Sequence, residues 1–138
     1  MSRIQLALNI KDIDAAVNFY SKLFGTEPAK RRPGYANFAI AQPPLKLVLL
    51  ENSAAVGTMN HLGVEVETPS EVADAIDRLQ RSDLETKIES QTTCCYAVQD
   101  KVWVHDPDGA AWEVYTVLAD ARVRDQKPVS TGICCQPG

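Results

Sequence analysis

Adjacent cysteines are the most chemically pointed feature of this chain: Cys94 and Cys95 run into Tyr96, and a second pair, Cys134 and Cys135, follows near the end. Two thiolates at that spacing suit a thiophilic, three-coordinate centre such as As(III), or a soft cation such as Cd(II). A single buried cysteine is often only a small apolar residue. Two consecutive pairs argue instead for thiols available to a metal, a metalloid or redox chemistry. Neighbouring cysteines that bond to each other close a strained ring, so free thiols are the expected state in a reducing compartment.

A second, harder donor set lies elsewhere in the chain. Gln5, His61 and Glu113 each fall on the polar face of an expected strand. An amide oxygen, an imidazole nitrogen and a carboxylate oxygen form a facial set with positions left for water, oxygen or substrate. It is related to the two-His, one-carboxylate design of non-haem Fe(II) sites. Replacing one histidine by glutamine weakens one ligand, so Fe(II), Mn(II), Co(II), Ni(II) and Zn(II) all fit. Taken singly, a strand glutamine is usually surface polarity and a lone histidine is more often structural. Glu113 is different, because a carboxylate between Trp112, Val114 and Tyr115 needs a cationic partner. Sulfur is a poor ligand for such a hard site. The cysteines are therefore assigned to substrate, as catalytic and substrate-binding residues, and the Gln-His-Glu set to metal. Lys101 and Arg3 would raise the thiolate fraction if close to the cysteines. Trp103, Tyr35, Phe38 and Tyr96 could wall a site, although an aromatic on a strand is usually core. His105 sits at a turn and receives no role.

The elements that must position these residues come in a repeat. Ile4, Leu6, Leu8 and Ile10 alternate with polar or small residues, the pattern of a half-buried strand. A helix follows, capped by Asp12 or Asp14, with Ala16, Phe19, Tyr20, Leu23 and Phe24 at helical spacing and Gly25 at its end. Strands are expected over 26–31, 35–41 and 45–51. The same order recurs: a strand through His61, Leu62, Val64 and Val66, a helix from Pro69, then strands over 84–89, within 96–105 and over 111–118. Asp106-Pro107-Asp108-Gly109 is a strong turn signal before the last. The fold class is thus α+β, two βαβββ modules (1–53 and 54–119) in one domain over 1–119, forming a cupped mixed sheet. A linker spans 52–57, and 120–138 is a polar tail carrying Cys134 and Cys135, expected to be mobile. Aligning the halves sets Gln5 against His61 and Lys46 near Glu113. The surplus of the second half falls at 92–99, so the cysteine pair is expected on an inserted loop.

Composition narrows the function classes. The chain has 138 residues, 45% hydrophobic and 23% charged, with a net charge of −4, values ordinary for a globular domain. Without a basic stripe, nucleic-acid binding has little electrostatic support. No apolar run reaches membrane-spanning length and Met1-Ser2-Arg3-Ile4-Gln5 does not open a signal peptide, so the expectation is a cytoplasmic protein with no membrane partner.

The repeat, the ligands on first and last strands, and the Asp106-Pro107-Asp108-Gly109 turn before Trp112-Glu113 resemble the vicinal oxygen chelate superfamily of glyoxalase I, extradiol dioxygenases and fosfomycin and bleomycin resistance proteins. The likeness covers residues 1–118. More narrowly, the segments 33–40, 43–49, 60–66 and 94–104, with the cysteine pair, resemble the ArsI/CadI group of Fe(II)-dependent carbon–arsenic lyases and cadmium-induced proteins. The resemblance implies oxygen-dependent cleavage of trivalent organoarsenicals, such as methylarsonous acid or trivalent aromatic arsenicals, to arsenite. It implies Fe(II) as cofactor on Gln5, His61 and Glu113, the arsenical on Cys94 and Cys95, dioxygen as co-substrate, and a homodimer; Lys101 and Tyr96 are accessory candidates on their own chemistry, as a cation and an aromatic wall. Where glyoxalase I has a carboxylate on the first module's last strand this chain has Lys46, Leu47 and Leu49, so glyoxalase activity is not expected. Two alternatives stand beside the lyase: a cadmium- or arsenite-binding resistance protein without catalysis, and another dioxygenase of the superfamily with incidental cysteines.

Overall fold

Local chemistry sets the element boundaries in a computed structural model that describes residues 2–123. The first strand, β1 (Arg3–Ile10), stops before Asp12, whose side chain accepts from the Asp14 and Ala15 backbone amides and caps α1 (Ile13–Phe24). Gly25 ends the helix at φ 66°, a left-handed position that glycine tolerates without a Cβ penalty. Three strands follow: β2 (Lys30–Arg32), β3 (Tyr35–Ile40) and β4 (Leu45–Glu51). The chain turns back through a short 3-10 segment, Ser53–Ala55, inside the expected linker.

β5 (Met59–Glu65) opens the repeat. α2 (Pro69–Arg81) starts with a reciprocal cap, in which Thr68 accepts from the Glu71 amide and the Glu71 carboxylate accepts from the Thr68 amide. Then come β6 (Lys87–Cys94), β7 (Ala97–His105) and β8 (Ala111–Asp120). The turn before β8 forms as its sequence predicts: Asp106 Oδ1 accepts from the Asp108 and Ala110 amides at 2.9 Å each. The fold class is α+β, built from two βαβββ modules, as read from the sequence.

The chain divides into two compact units at Asn60/His61. In the first, the strand order is β2-β3-β4-β1, with β1 parallel to β4 and the other pairings antiparallel. α1 packs on β3 and β4. Its core is Val17, Ala36, Phe38, Ile40, Leu47 and Leu49, with Leu6, Leu8, Tyr20 and Phe24 against it. Phe38 is therefore ordinary core and walls no site.

In the second, the order is β5-β8-β7-β6, again with the first and last strands of the module parallel. α2 packs on β7 and β8 and buries Val72, Ala75 and Leu79.

Two expectations are corrected. The first strand is expected to be half-buried with its polar side outward; Leu6 and Leu8 do pack on the core, but Gln5, Ala7 and Asn9 are more buried still, and Ile4 is 43% exposed. The polar side faces the interior, where its amide groups must find partners; Asn9 does so by donating to Thr58 Oγ1 and accepting from Asn60. The second correction concerns 92–99. The segment is no inserted loop but the end of a long hairpin, because β6 runs to Cys94 and β7 resumes at Ala97, and both strands outrun β2 and β3. Met1 and residues 124–138, with Cys134 and Cys135, lie outside the described residues.

Candidate metal centre and thiol hairpin

Strand alternation explains which side chains share a face. On β7, Gln99, Lys101 and Trp103 point one way, and on β8 so do Glu113 and Tyr115, which sit across from Trp103 and Lys101. All five are buried, as is His61 from β5, so this face is lined by polar and charged groups that must satisfy one another.

Gln99 donates Nε2 to the Cys94 carbonyl at 2.8 Å and leaves its buried Oε1 without a partner among the described residues; the others gather around Glu113. Its Oε2 lies 2.8 Å from His61 Nε2 and its Oε1 accepts from Lys101 Nζ at 2.8 Å. Burial alone would raise the pKa of this carboxyl. The Lys101 charge, with the hydrogen bond and charge of His61 and the hydrogen bond from Lys101, outweighs that effect and holds it well below the usual carboxylate range. Glu113 is ionised. Aromatic rings close the cluster: Trp103 lies edge-on to His61 with centroids 5.3 Å apart, and Lys101 Nζ sits 5.4 Å from the Trp103 ring and 5.6 Å from the Tyr115 ring. Tyr115 in turn donates its hydroxyl to Glu65 at 3.1 Å.

This pair fits a divalent cation. Ligand bonds of about 2.0–2.2 Å at right angles place neighbouring donor atoms about 3 Å apart. The 2.8 Å between His61 Nε2 and Glu113 Oε2 matches that spacing. A nitrogen and an anionic oxygen suit borderline and hard cations alike. Gln5, the third expected ligand, belongs to the other unit, where it is buried and sits across from Lys46 on the parallel β4. Among the described residues no group of three His, Cys, Asp or Glu side chains gathers as a cage.

Register also revises the comparison of modules. Glu113 sits across from Gly63, two residues beyond His61, and the matching position two beyond Gln5 is Ala7, which sits across from Val48. Val48 rather than Lys46 is thus the counterpart of Glu113. An apolar residue there removes a first-module carboxylate more firmly than lysine did.

The cysteines stand apart from this cluster. Cys94 pairs with Ala97, which lies six residues before Trp103, the partner of Glu113. At about 3.4 Å per residue, roughly 20 Å of strand separates the two levels. Cys94 and Cys95 are both disulfide-bonded, where thiols were expected; the sulfurs must gain two electrons per bond before they can bind arsenic. Cys95 and Tyr96 form the two-residue turn of the hairpin at φ 50° and 63°. Such turns favour Asn and Gly, because other side chains are strained in the left-handed region, by about 1–3 kcal/mol each. Below the turn, register slips in β6 between Glu89 and Thr92 and in the β7–β8 pairing between Val98 and Gln99. Asp100 Oδ1 braces the first slip by accepting from the Gln91 amide at 2.7 Å.

Lys101, which would aid the thiols only if close to them and would otherwise be a solvated surface charge, is instead buried on Glu113. Alternation placed it on the face of Trp103, and a lysine buried there requires a carboxylate; that signal was available in the sequence. His105 is exposed at the end of β7.

The chain belongs to the glyoxalase/bleomycin resistance protein/dioxygenase superfamily, whose family model matches residues 3–114. Within it, the chain is 58% identical over 142 residues to the cadmium-induced protein CadI of Mycobacterium tuberculosis, covering 98% of this chain and 93% of that protein. It is 57% identical over 138 residues to the trivalent organoarsenical cleaving enzyme of Thermomonospora curvata, covering 99% and 90%. Among solved structures, the Mn(II)-bound glyoxalase of Novosphingobium aromaticivorans shares the fold, with a TM-score of 0.60 at 17% identity over 96% of this chain and 45% of that one. No helix among the described residues is long and apolar enough to cross a membrane.

Proposed function

We propose that this protein cleaves the carbon–arsenic bond of trivalent organoarsenicals, with Fe(II) as its metal and dioxygen as co-substrate. The observation that carries the reading is the 57% identity, over nearly the whole of both chains, to an enzyme named for cleaving trivalent organoarsenicals. The ionised Glu113 beside His61 supports a metal at that pair; Gln5 as the third ligand is proposed from the sequence pattern alone. Fe(II) bound there would supply the activation of dioxygen.

The remaining work falls to the protein's own groups. Reduced Cys94 and Cys95 hold As(III) by exchanging its oxygen ligands for sulfur, which fixes the organic substituent in one direction. Lys101, itself flanked by the Trp103 and Tyr115 rings, keeps Glu113 oriented. The hairpin end carrying the cysteines folds toward the metal pair, bending at the slips around Thr92 and Gln99. Holding the arsenical and the oxidant in one place contributes several kcal/mol, about 7–11 in well-aligned intramolecular reactions.

The test is arsenite release from methylarsonous acid by thiol-reduced, Fe(II)-loaded protein, under air and under nitrogen. Release under air alone is expected, and Cys94→Ser should abolish it while iron stays bound. Folded, iron-loaded protein that releases no arsenite under air would sink the reading.

A second reading is favoured by the distance between thiols and metal pair and by the likeness to CadI. In it the protein sequesters cadmium or arsenite and does no catalysis. Cells carrying His61→Ala would then keep full cadmium and arsenite resistance.

A further inference from the structure

We infer that Lys101 is a positioning residue that confines Glu113 to one-oxygen coordination and so keeps an extra position open on the metal. The inference rests on the metal assignment above, and goes beyond it to the geometry of the centre. Glu113 could in principle grip a cation with both carboxylate oxygens, but the two are already divided. Oε2 faces His61 Nε2 and Oε1 is held by Lys101 Nζ, both at 2.8 Å.

The ammonium cannot readily give up that oxygen. Lys101 is 1% exposed, and among the described residues Glu113 is its only hydrogen-bond acceptor. Its other neighbours are the faces of Trp103 and Tyr115, which attract a cation but accept no conventional hydrogen bond. Swinging Oε1 onto a metal would strand a buried charge without a partner, a costly arrangement. The same Trp103 ring abuts His61, so one side chain fixes both the imidazole and the ammonium. A cation seated against His61 Nε2 and Glu113 Oε2 therefore leaves Oε1 outside its coordination shell. The position that a second carboxylate oxygen would fill remains for water or an incoming ligand. The fixed positive charge also works against cation binding, so affinity is set below what the ligands alone would give.

Mn(II) serves as probe in the absence of any arsenical. Affinity and inner-sphere water number are measured, by titration and by water-proton relaxation, for the wild type, Lys101→Met, Lys101→Arg and His61→Ala. In Lys101→Met, binding should tighten by about tenfold or more and the water number should fall by about one, as Oε1 closes onto the metal. Lys101→Arg keeps the charge and should keep the wild-type water number. Equal or weaker binding in Lys101→Met, or an unchanged water number, overturns the inference. A crystal structure of the Mn(II)-bound wild type guards against misfolded variants. Oε1 on Lys101 and off the metal is expected, and both oxygens on the metal overturns the idea. Mn(II) affinity unchanged in His61→Ala would overturn the metal assignment itself, and this inference with it.

Discussion

Glu113 is the residue on which the candidate centre turns, because it is a buried carboxylate kept ionised by two basic neighbours. Removing one member of such a group leaves the others uncompensated, which costs about 3–5 kcal/mol for a buried ion pair. Glu113→Gln should therefore destabilise the metal-free protein by about that amount at pH 7, measured by urea unfolding. The pH dependence follows from the lowered pKa. Stabilisation by Glu113 is fully present above the ordinary glutamate value of about 4.3 and is lost as pH falls toward the depressed folded-state value. The gap between wild type and Glu113→Gln should narrow between pH 5 and pH 3, values chosen to bracket that ordinary pKa. A gap that stays constant would mean that Glu113 is not ionised in the folded protein.

At the scale of elements, the β6–β7 hairpin is the unusual piece. A tight turn built from Cys95 and Tyr96, both at positive φ, sits on strands that slip register just below it. Glycine relieves the left-handed strain, about 1–2 kcal/mol, though part of the gain is offset by its larger loss of chain entropy. Tyr96→Gly should raise the urea midpoint of the thiol-reduced protein, corresponding to a gain of about 1 kcal/mol or less. A loss of stability would show that the tyrosine ring contributes more through packing than its backbone costs. This element was only partly legible in the sequence. Thr92-Thr93-Cys94 has strand character, yet the unequal module lengths pointed to an inserted loop. A two-residue turn without glycine or asparagine gives no turn signal to read. The two capped helices and the Asp106-Pro107-Asp108-Gly109 turn were legible because capping and turn residues act locally.

For the whole molecule, the duplicated βαβββ plan was readable from alternation and punctuation, since each module repeats them within its own stretch of chain. What alternation could not supply was register. It placed Lys46 opposite the role of Glu113, where pairing gives Val48, and it could not tell that Cys94 lies roughly 20 Å of strand from the level of Glu113. Such distances depend on which residues pair across strands, and that is decided by tertiary packing. A metal that binds only the folded form should stabilise the whole chain. Mn(II) at a hundred times its dissociation constant is expected to add about 2.7 kcal/mol, read as a rise in melting temperature. His61→Ala should show no such rise, and a rise of equal size would place the metal elsewhere.

The central claim is that one substrate is shared between the thiols and the metal pair across that span. It is tested most directly with anaerobic, thiol-reduced, Mn(II)-loaded protein carrying methylarsonous acid, in which paramagnetic relaxation of the arsenical's methyl protons reports their distance from the metal. The account predicts about 5 Å or less, since reacting atoms must approach to about 3–3.5 Å. A methyl group that remains at roughly the 20 Å set by the strand register, with arsenic bound to both cysteines, would contradict it.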